Sequence, residues 1–164
     1  MQHTVSVLVE NKFGVLARVA GLFSGRGYNI ESLTVSATCD PKVSKMTIVT
    51  VGDDDVLEQI EKQLNKLVDV IRVTDLTGHE FIERELALLK VRATSTTRAE
   101  LMQITEIFGG KIVNVYHDEL TVELAGRAAK IDSFVELATP FGIIELARTG
   151  RVAVARKPGA TEEY

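Results

Sequence analysis

Cysteine is nearly absent from this chain: Cys39 is the only one in 164 residues. A lone thiol cannot close an internal disulfide, which points to a reducing compartment and leads us to expect a cytoplasmic protein. As a nucleophile it would need a base partner, which the sequence does not reveal. No apolar run is long enough to cross a bilayer, and Met1-Gln-His-Thr leads into a strand pattern rather than a signal peptide, so no membrane association is expected. Neither charge sign dominates. Lys and Arg number 8 against 10 Asp and Glu up to Gly78, and 11 against 13 beyond it. Neither half is a basic arm, which argues against nucleic acid as the main partner. Also missing are a Gly-x-Ser-x-Gly elbow, a Walker loop and a zinc-ligand set, so catalysis by this chain alone is not expected. His3, His79 and His117 share no ligand spacing and are expected at the surface.

What is present is an internal repeat. Shifted by 85 positions, Leu16, Val19, Leu22, Phe23, Gly25 and Asn29 fall on Leu101, Ile104, Ile107, Phe108, Gly110 and Asn114. Such matches at apolar stripe, helix stop and strand start imply two copies of one supersecondary unit. In the first copy, Val5, Val7 and Val9 alternate with Thr4, Ser6 and Leu8, giving a strand with one clearly apolar face. A helix, two antiparallel strands joined through Asp40-Pro41-Lys42, a second helix and a strand at Val70 to Thr74 follow. Asp53-Asp54-Asp55 at a helix start complements the helix dipole, with Asp55-x-x-Glu58 as capping groups. A metal site there would need more oxygens than are visible. The second copy begins at Glu85, with Thr97-x-x-Glu100 as a capping box, and Pro140 ends its second helix.

The expected fold class is therefore α+β, two tandem ferredoxin-like βαββαβ domains over residues 1–76 and 80–156, with a flexible tail at 157–164. Domains this small bury little more than ~60% of their unfolded surface and expose sheet edges, so a homodimer is the expected minimal unit.

One stretch carries the functional signal. In Asn11-Lys-Phe-Gly14 and the residues after it, a strand ends on Asn and a glycine opens an amphipathic helix bearing Val15, Leu16, Val19, Leu22 and Phe23, which leaves through Gly25 and Gly27. Free N–H groups at such a turn can hold a carboxylate. Gly14 could also be no more than a flexible helix entry. The second copy, which aligns Ala99 with Gly14 and enters its helix through Ser95-Thr96-Thr97, lacks the feature. Asn29 suits a turn after Gly27 as well as a ligand site. Gly25-Arg26-Gly27 follows a helix and precedes a strand, the reverse of a dinucleotide-binding loop, and reads as helix termination.

Asn11 to Gly14, the helix to Phe23 and Gly27-Tyr-Asn-Ile-Glu-Ser-Leu33 resemble the ACT domain, and within it the regulatory (small) subunit family of acetolactate synthase, also called acetohydroxyacid synthase. The likeness runs to about Arg156, and Phe13, where many ACT modules carry Pro, suits the subunit family. The resemblance implies an amino-acid effector at a dimer interface, its carboxylate on the backbone of Gly14, Val15 and Leu16, Asn11 near the ammonium, and Asn29 and Ile30 supplied by the neighbouring chain. It implies valine as effector, with aliphatic contact from Val15, Leu16 and Ile30. It also implies a catalytic large subunit as partner, contacted by the second domain, and feedback control of branched-chain amino-acid biosynthesis, valine and isoleucine included. This chain would hold no cofactor; thiamine diphosphate, Mg and FAD would belong to the large subunit. The alternative is a free-standing ACT-type regulator of another enzyme or transcription complex.

Overall fold

The computed structural model describes residues 1–156; the tail expected at 157–164 lies outside the described residues. The chain divides into two compact units, one of Met1–Ile82 joined by the stretch from Arg151, the other of Glu83–Gly150.

The first unit runs β1 (Gln2–Glu10), α1 (Val15–Gly25), β2 (Ile30–Ala37), β3 (Val43–Val51), α2 (Asp54–Leu64) and β4 (Val70–Asp75). Its sheet is antiparallel in the order β2-β3-β1-β4. Val5, Val7, Val9, Met46 and Ile48 form the face under the helices, against Val15, Val19 and Phe23 of α1 and Leu57, Ile60 and Leu64 of α2. The four-residue spacing of Val15, Val19 and Phe23 keeps them on one side of the helix. Leu16, expected in that stripe, lies outside it at 43% exposure.

β1 is buried on both faces, not one: Thr4 and Ser6 are as inaccessible as the valines, and His3, expected at the surface, is buried too. Most buried polar groups are paired. Arg151 donates from Nη1 to Thr4 Oγ1 at 2.6 Å and from Nη2 to Gln2 Oε1 at 3.0 Å, and its carbonyl accepts from Thr34 Oγ1 at 3.0 Å. The backbone N–H of Arg156 donates to Glu80 O at 2.9 Å. The stretch from Arg151, placed by the sequence pattern in the second domain, thus belongs by its contacts to the first unit.

The second unit runs β5 (Phe81–Arg92, its first two residues in the first unit), α3 (Arg98–Ile107), β6 (Lys111–Val115), β7 (Glu119–Gly126), α4 (Ala128–Ala138) and β8 (Ile143–Arg148), in sheet order β6-β7-β5-β8. Ala87, Leu89, Val91, Leu120, Val122 and Leu124 meet Leu101, Ile131 and Phe134, and Phe134 packs edge-on against Phe108 at 5.5 Å.

The two units repeat each other down to their irregularities, at a spacing of 82 rather than 85. β1 slips against β4 between Leu8 and Val9, and β5 slips against β8 between Lys90 and Val91. β2 slips against β3 between Ile30 and Ser32, and β6 slips against β7 between Ile112 and Asn114. Gly27 (φ 72°) and Gly109 (φ 65°) end α1 and α3 in the same way. Tyr28 N–H reaches Phe23 O and Gly27 N–H reaches Ser24 O, while Gly110 and Gly109 donate to Thr105 and Glu106. This is the Schellman pattern, which needs a left-handed residue, hence glycine. Gly14 is accordingly matched by Thr96, not Ala99.

Capping also departs from the sequence pattern. Asp53, rather than Asp55, accepts the N–H of Val56 at 2.9 Å, while Glu58 pairs with Lys62 along the helix. The Thr97-x-x-Glu100 box is not formed: Thr97 Oγ1 instead accepts from Thr94 N–H, and α3 has no side-chain cap. Asp53→Ala should therefore lower stability by about 1 kcal/mol, measured by urea unfolding.

Glu61, on α2, has its pKa raised by partial burial and then by the negative charges of Asp75 and Glu58. A carboxyl whose folded pKa lies above the unfolded one loses stability as pH rises through it. Glu61→Gln is expected to raise Tm at neutral pH, with the gain vanishing near pH 4; an equal gain at both pH values would contradict this account.

Candidate functional site

The turn between β1 and α1 is built on Gly14, which sits at the helix N-cap in the left-handed region (φ 82°, ψ −6°) and supplies no side-chain cap. The first backbone bond of the helix runs from Arg18 N–H to Gly14 O at 3.0 Å. The N–H groups of Leu16 and Ala17 therefore precede the ladder and have no intrahelical acceptor. That of Val15 makes only a long contact of 3.4 Å to Lys12 O. Leu16 is exposed at the mouth. The Val15 side chain is in the core, so only its backbone faces the turn.

Two cations that the sequence reading passed over flank these donors. Arg18 lies one helical turn beyond Gly14, and a Cβ added at Gly14 would come within 3.2 Å of its Nη1. Its Nη2 and Nε bind Asp69 Oδ2 at 2.6 and 2.9 Å, and the Asp69 side chain is only 12% exposed. Lys12 Nζ meets Glu10 Oε2 at 2.5 Å, a hydrogen bond that raises the lysine pKa and keeps it charged. An arginine four residues after the turn glycine, in an otherwise uncharged helix, was the available sign. Its partner lies 51 positions away and carries no local mark.

Asn11 is tied rather than free. Its N–H donates to Lys42 O at 2.7 Å and its Nδ2 to Pro41 O at 2.9 Å, fastening the turn to the β2–β3 hairpin. In the second unit Ala93 N–H binds Asp118 O in the same manner. Arg98, the counterpart of Leu16, donates to the carbonyls of Ala93, Tyr116 and His117. That guanidinium ties the helix entry of the second unit to its β6–β7 hairpin.

Asn29 and Ile30 lie elsewhere. Ile30 pairs with Thr50, which pairs with His3 at the start of β1, whereas Glu10 at its end pairs with Val43 beside the Asn11 turn. Within one chain the two half-sites thus stand at opposite ends of the sheet, roughly 25 Å apart along a nine-residue strand. The amide of Asn29 donates to Glu31 Oε1 at 2.9 Å, and its carbonyl accepts from Thr50 Oγ1 at 2.7 Å.

Among the described residues no group of three or more His, Cys, Asp or Glu is placed to hold a metal ion, and no helix is long and apolar enough to cross a membrane. Cys39 is exposed.

Two βαββαβ units, the first entering its helix through Asn11 and Gly14, define a protein of the ACT-domain class. Residues 5–72 match the AHAS small subunit-like ACT domain family, and residues 84–157 match the family described as the small subunit of acetolactate synthase. The acetolactate synthase isozyme 3 small subunit of Escherichia coli is 52% identical over 157 residues, covering 95% of this chain and 96% of that one. The acetolactate synthase small subunit of Aquifex aeolicus is 50% identical over 163 residues, covering 99% and 85%. The crystal structure of the Thermotoga maritima acetolactate synthase small subunit superposes with a TM-score of 0.87 at 43% identity, over 96% of this chain and 99% of that one. The chain belongs to the acetolactate synthase small-subunit family.

Proposed function

We propose that this chain is a non-catalytic regulatory subunit that activates a thiamine-diphosphate-dependent acetolactate synthase large subunit and makes it sensitive to valine. The thiamine diphosphate, Mg and FAD reside in that partner. The carrying observation is the separation of the two half-sites. β2 is one of the two edge strands of its sheet, β4 being the other. A two-fold copy adding its own β2 antiparallel would set its Asn29 and Ile30 beside the end of the first β2. The hairpin and the Asn11 turn stand there. A homodimer thereby completes two effector sites, each with Gly14, Val15 and Leu16 for the carboxylate and Leu16 and Ile30 for the aliphatic side chain.

The unpaired N–H groups and Arg18 favour an anion, and the apolar rim favours an aliphatic tail. Asn11 would meet the ammonium by releasing Pro41. The second unit, whose helix entry is closed by Arg98, contacts the large subunit. Both units act in the cytoplasm within branched-chain amino-acid biosynthesis.

Calorimetry on the isolated dimer is expected to show valine binding without the large subunit, one site per chain. Leucine and isoleucine should fall within about 1–3 kcal/mol, the worth of a methylene in an apolar pocket. No heat and no thermal shift at millimolar valine would overturn the site. Copurification of a flavin- and thiamine-containing enzyme with the full chain tests the partner.

A further inference from the structure

We propose that the second unit holds an amino-acid site of its own, in the groove between α3 and β6. The groove shares no residue with the turn at Gly14.

The groove exists because the repeat is broken at one corner. In the first unit the space between α1 and the start of β2 is filled by Phe23 and Tyr28, whose rings meet edge-on at 6.5 Å. At the spacing of 82, their counterparts are Thr105 and Gly110, neither of which carries a ring. An open groove of about 710 Å³ results, within the range of small-molecule sites. A side chain at position 110 would crowd its neighbours. A Cβ there would lie 3.0 Å from Thr105 Cγ2 and 3.3 Å from the carbonyl of Glu123. Thr105 spends its hydroxyl on Leu101 O at 2.8 Å, which leaves its methyl turned toward Gly110 as an apolar floor.

The walls have changed in the opposite sense. Where the first unit has Ala20, Ser24 and Asn29, the groove is lined by Met102, Glu106 and Lys111, with Ile112 standing where Ile30 stands. A corner packed with rings and rimmed by small residues has become an emptied corner rimmed by long ones. Those long side chains bring an ammonium, a carboxylate and a thioether to the lining. A zwitterion with an aliphatic tail matches this set: its carboxylate on Lys111, its ammonium on Glu106, and its side chain between Met102 and Ile112. An α-amino acid of leucine or methionine size is the occupant we assign.

The chain has three methionines, Met1 exposed, Met46 in the first core and Met102 in the groove, so methyl-labelled methionine gives the full-length dimer a reporter for each. Leucine is expected to move the Met102 line saturably in the millimolar range. Isovalerate, lacking the amine, and isoamylamine, lacking the carboxylate, should bind at least about tenfold more weakly. Lys111→Glu and Ala99→Phe, both at exposed positions, should each weaken the Met102 response about tenfold or more. Gly14→Asp should leave it unchanged. That last result separates this site from the first, whose failure would show in calorimetry with the Met102 response intact. The proposal is overturned by a Met102 line that stays still up to about 50 mM leucine. A response that survives Lys111→Glu, or is lost with Gly14→Asp, would also overturn it. So would a line that moves with protein concentration instead, which would assign the groove to a second copy.

Discussion

Gly14→Asp is expected to abolish valine inhibition while leaving activation of the large subunit in place. The backbone can accept the change: Asp is among the residues that visit the left-handed region, at a strain of roughly 1–2 kcal/mol. The electrostatics cannot. The new Cβ would lie 3.2 Å from Arg18 Nη1, and its carboxylate would sit among the N–H groups ahead of the α1 ladder. It would occupy the ground assigned to the effector's carboxylate, neutralise Arg18 and repel the ligand's own charge. Losing a helix-terminus interaction of about 0.3–2 kcal/mol and adding like-charge repulsion should weaken binding about 100-fold or more. Gly14→Ala is the control, since it carries the strain without the charge. It should lose stability yet keep most of the affinity. Inhibition curves of the reconstituted enzyme decide the matter, and a Gly14→Asp subunit as valine-sensitive as the wild type would remove the turn from the site.

Arg148→Met should produce the largest loss of stability, about 3 kcal/mol, seen as a fall in Tm of roughly 10 °C. Glu85 is buried at 7% exposure, and its two oxygens accept from Arg148 Nε at 2.7 Å and Nη2 at 3.0 Å. Nη1 of the same arginine reaches Asp132 at 2.7 Å. The hydrogen bonds to Glu85, with that to Asp132, hold the guanidinium pKa well above its ordinary value in spite of its burial. Removing the arginine strands a carboxylate in the interior, which costs far more than the intact pair contributes. Two further outcomes identify this cause. Acid should shrink the deficit, because protonation removes the stranded charge. Glu85→Leu combined with Arg148→Met should recover most of the loss. A deficit that is independent of pH and additive in the double variant would point to lost packing instead.

The elements were legible wherever a local pattern carried them. Alternation at Val5, Val7 and Val9, the glycine stops and the βαββαβ order all stand in the structure. The repeat was legible but misregistered by three residues. Three is close to one helical turn, so the slip still lays apolar on apolar and Phe23 on Phe108. The bulges and the glycines of positive φ, which carry no such degeneracy, set the spacing at 82. The capping box at Thr97 misled because Thr94, three residues earlier, competes for the same hydroxyl. Of the candidate site, the turn itself was legible, since Asn11 and Gly14 are residue types that suit a strand-to-helix turn. Arg18 with Asp69, and Arg98 with the Tyr116 and His117 carbonyls, were not. Their partners are brought close only by the completed sheet.

Arg151 makes the first unit discontinuous in sequence, with Glu83–Gly150 set into it as an insertion. During synthesis the chain meets its elements in a fixed order, and β1 leaves the ribosome about 150 residues before the side chain that closes over Thr4 and Gln2. The inserted stretch is synthesised in full before Arg151 emerges. A nascent or prematurely stopped chain therefore carries the polar face of β1 uncovered, a strand surface open to mispairing and to quality control. Completion of the first unit is tied to the synthesis of the chain as far as Arg151.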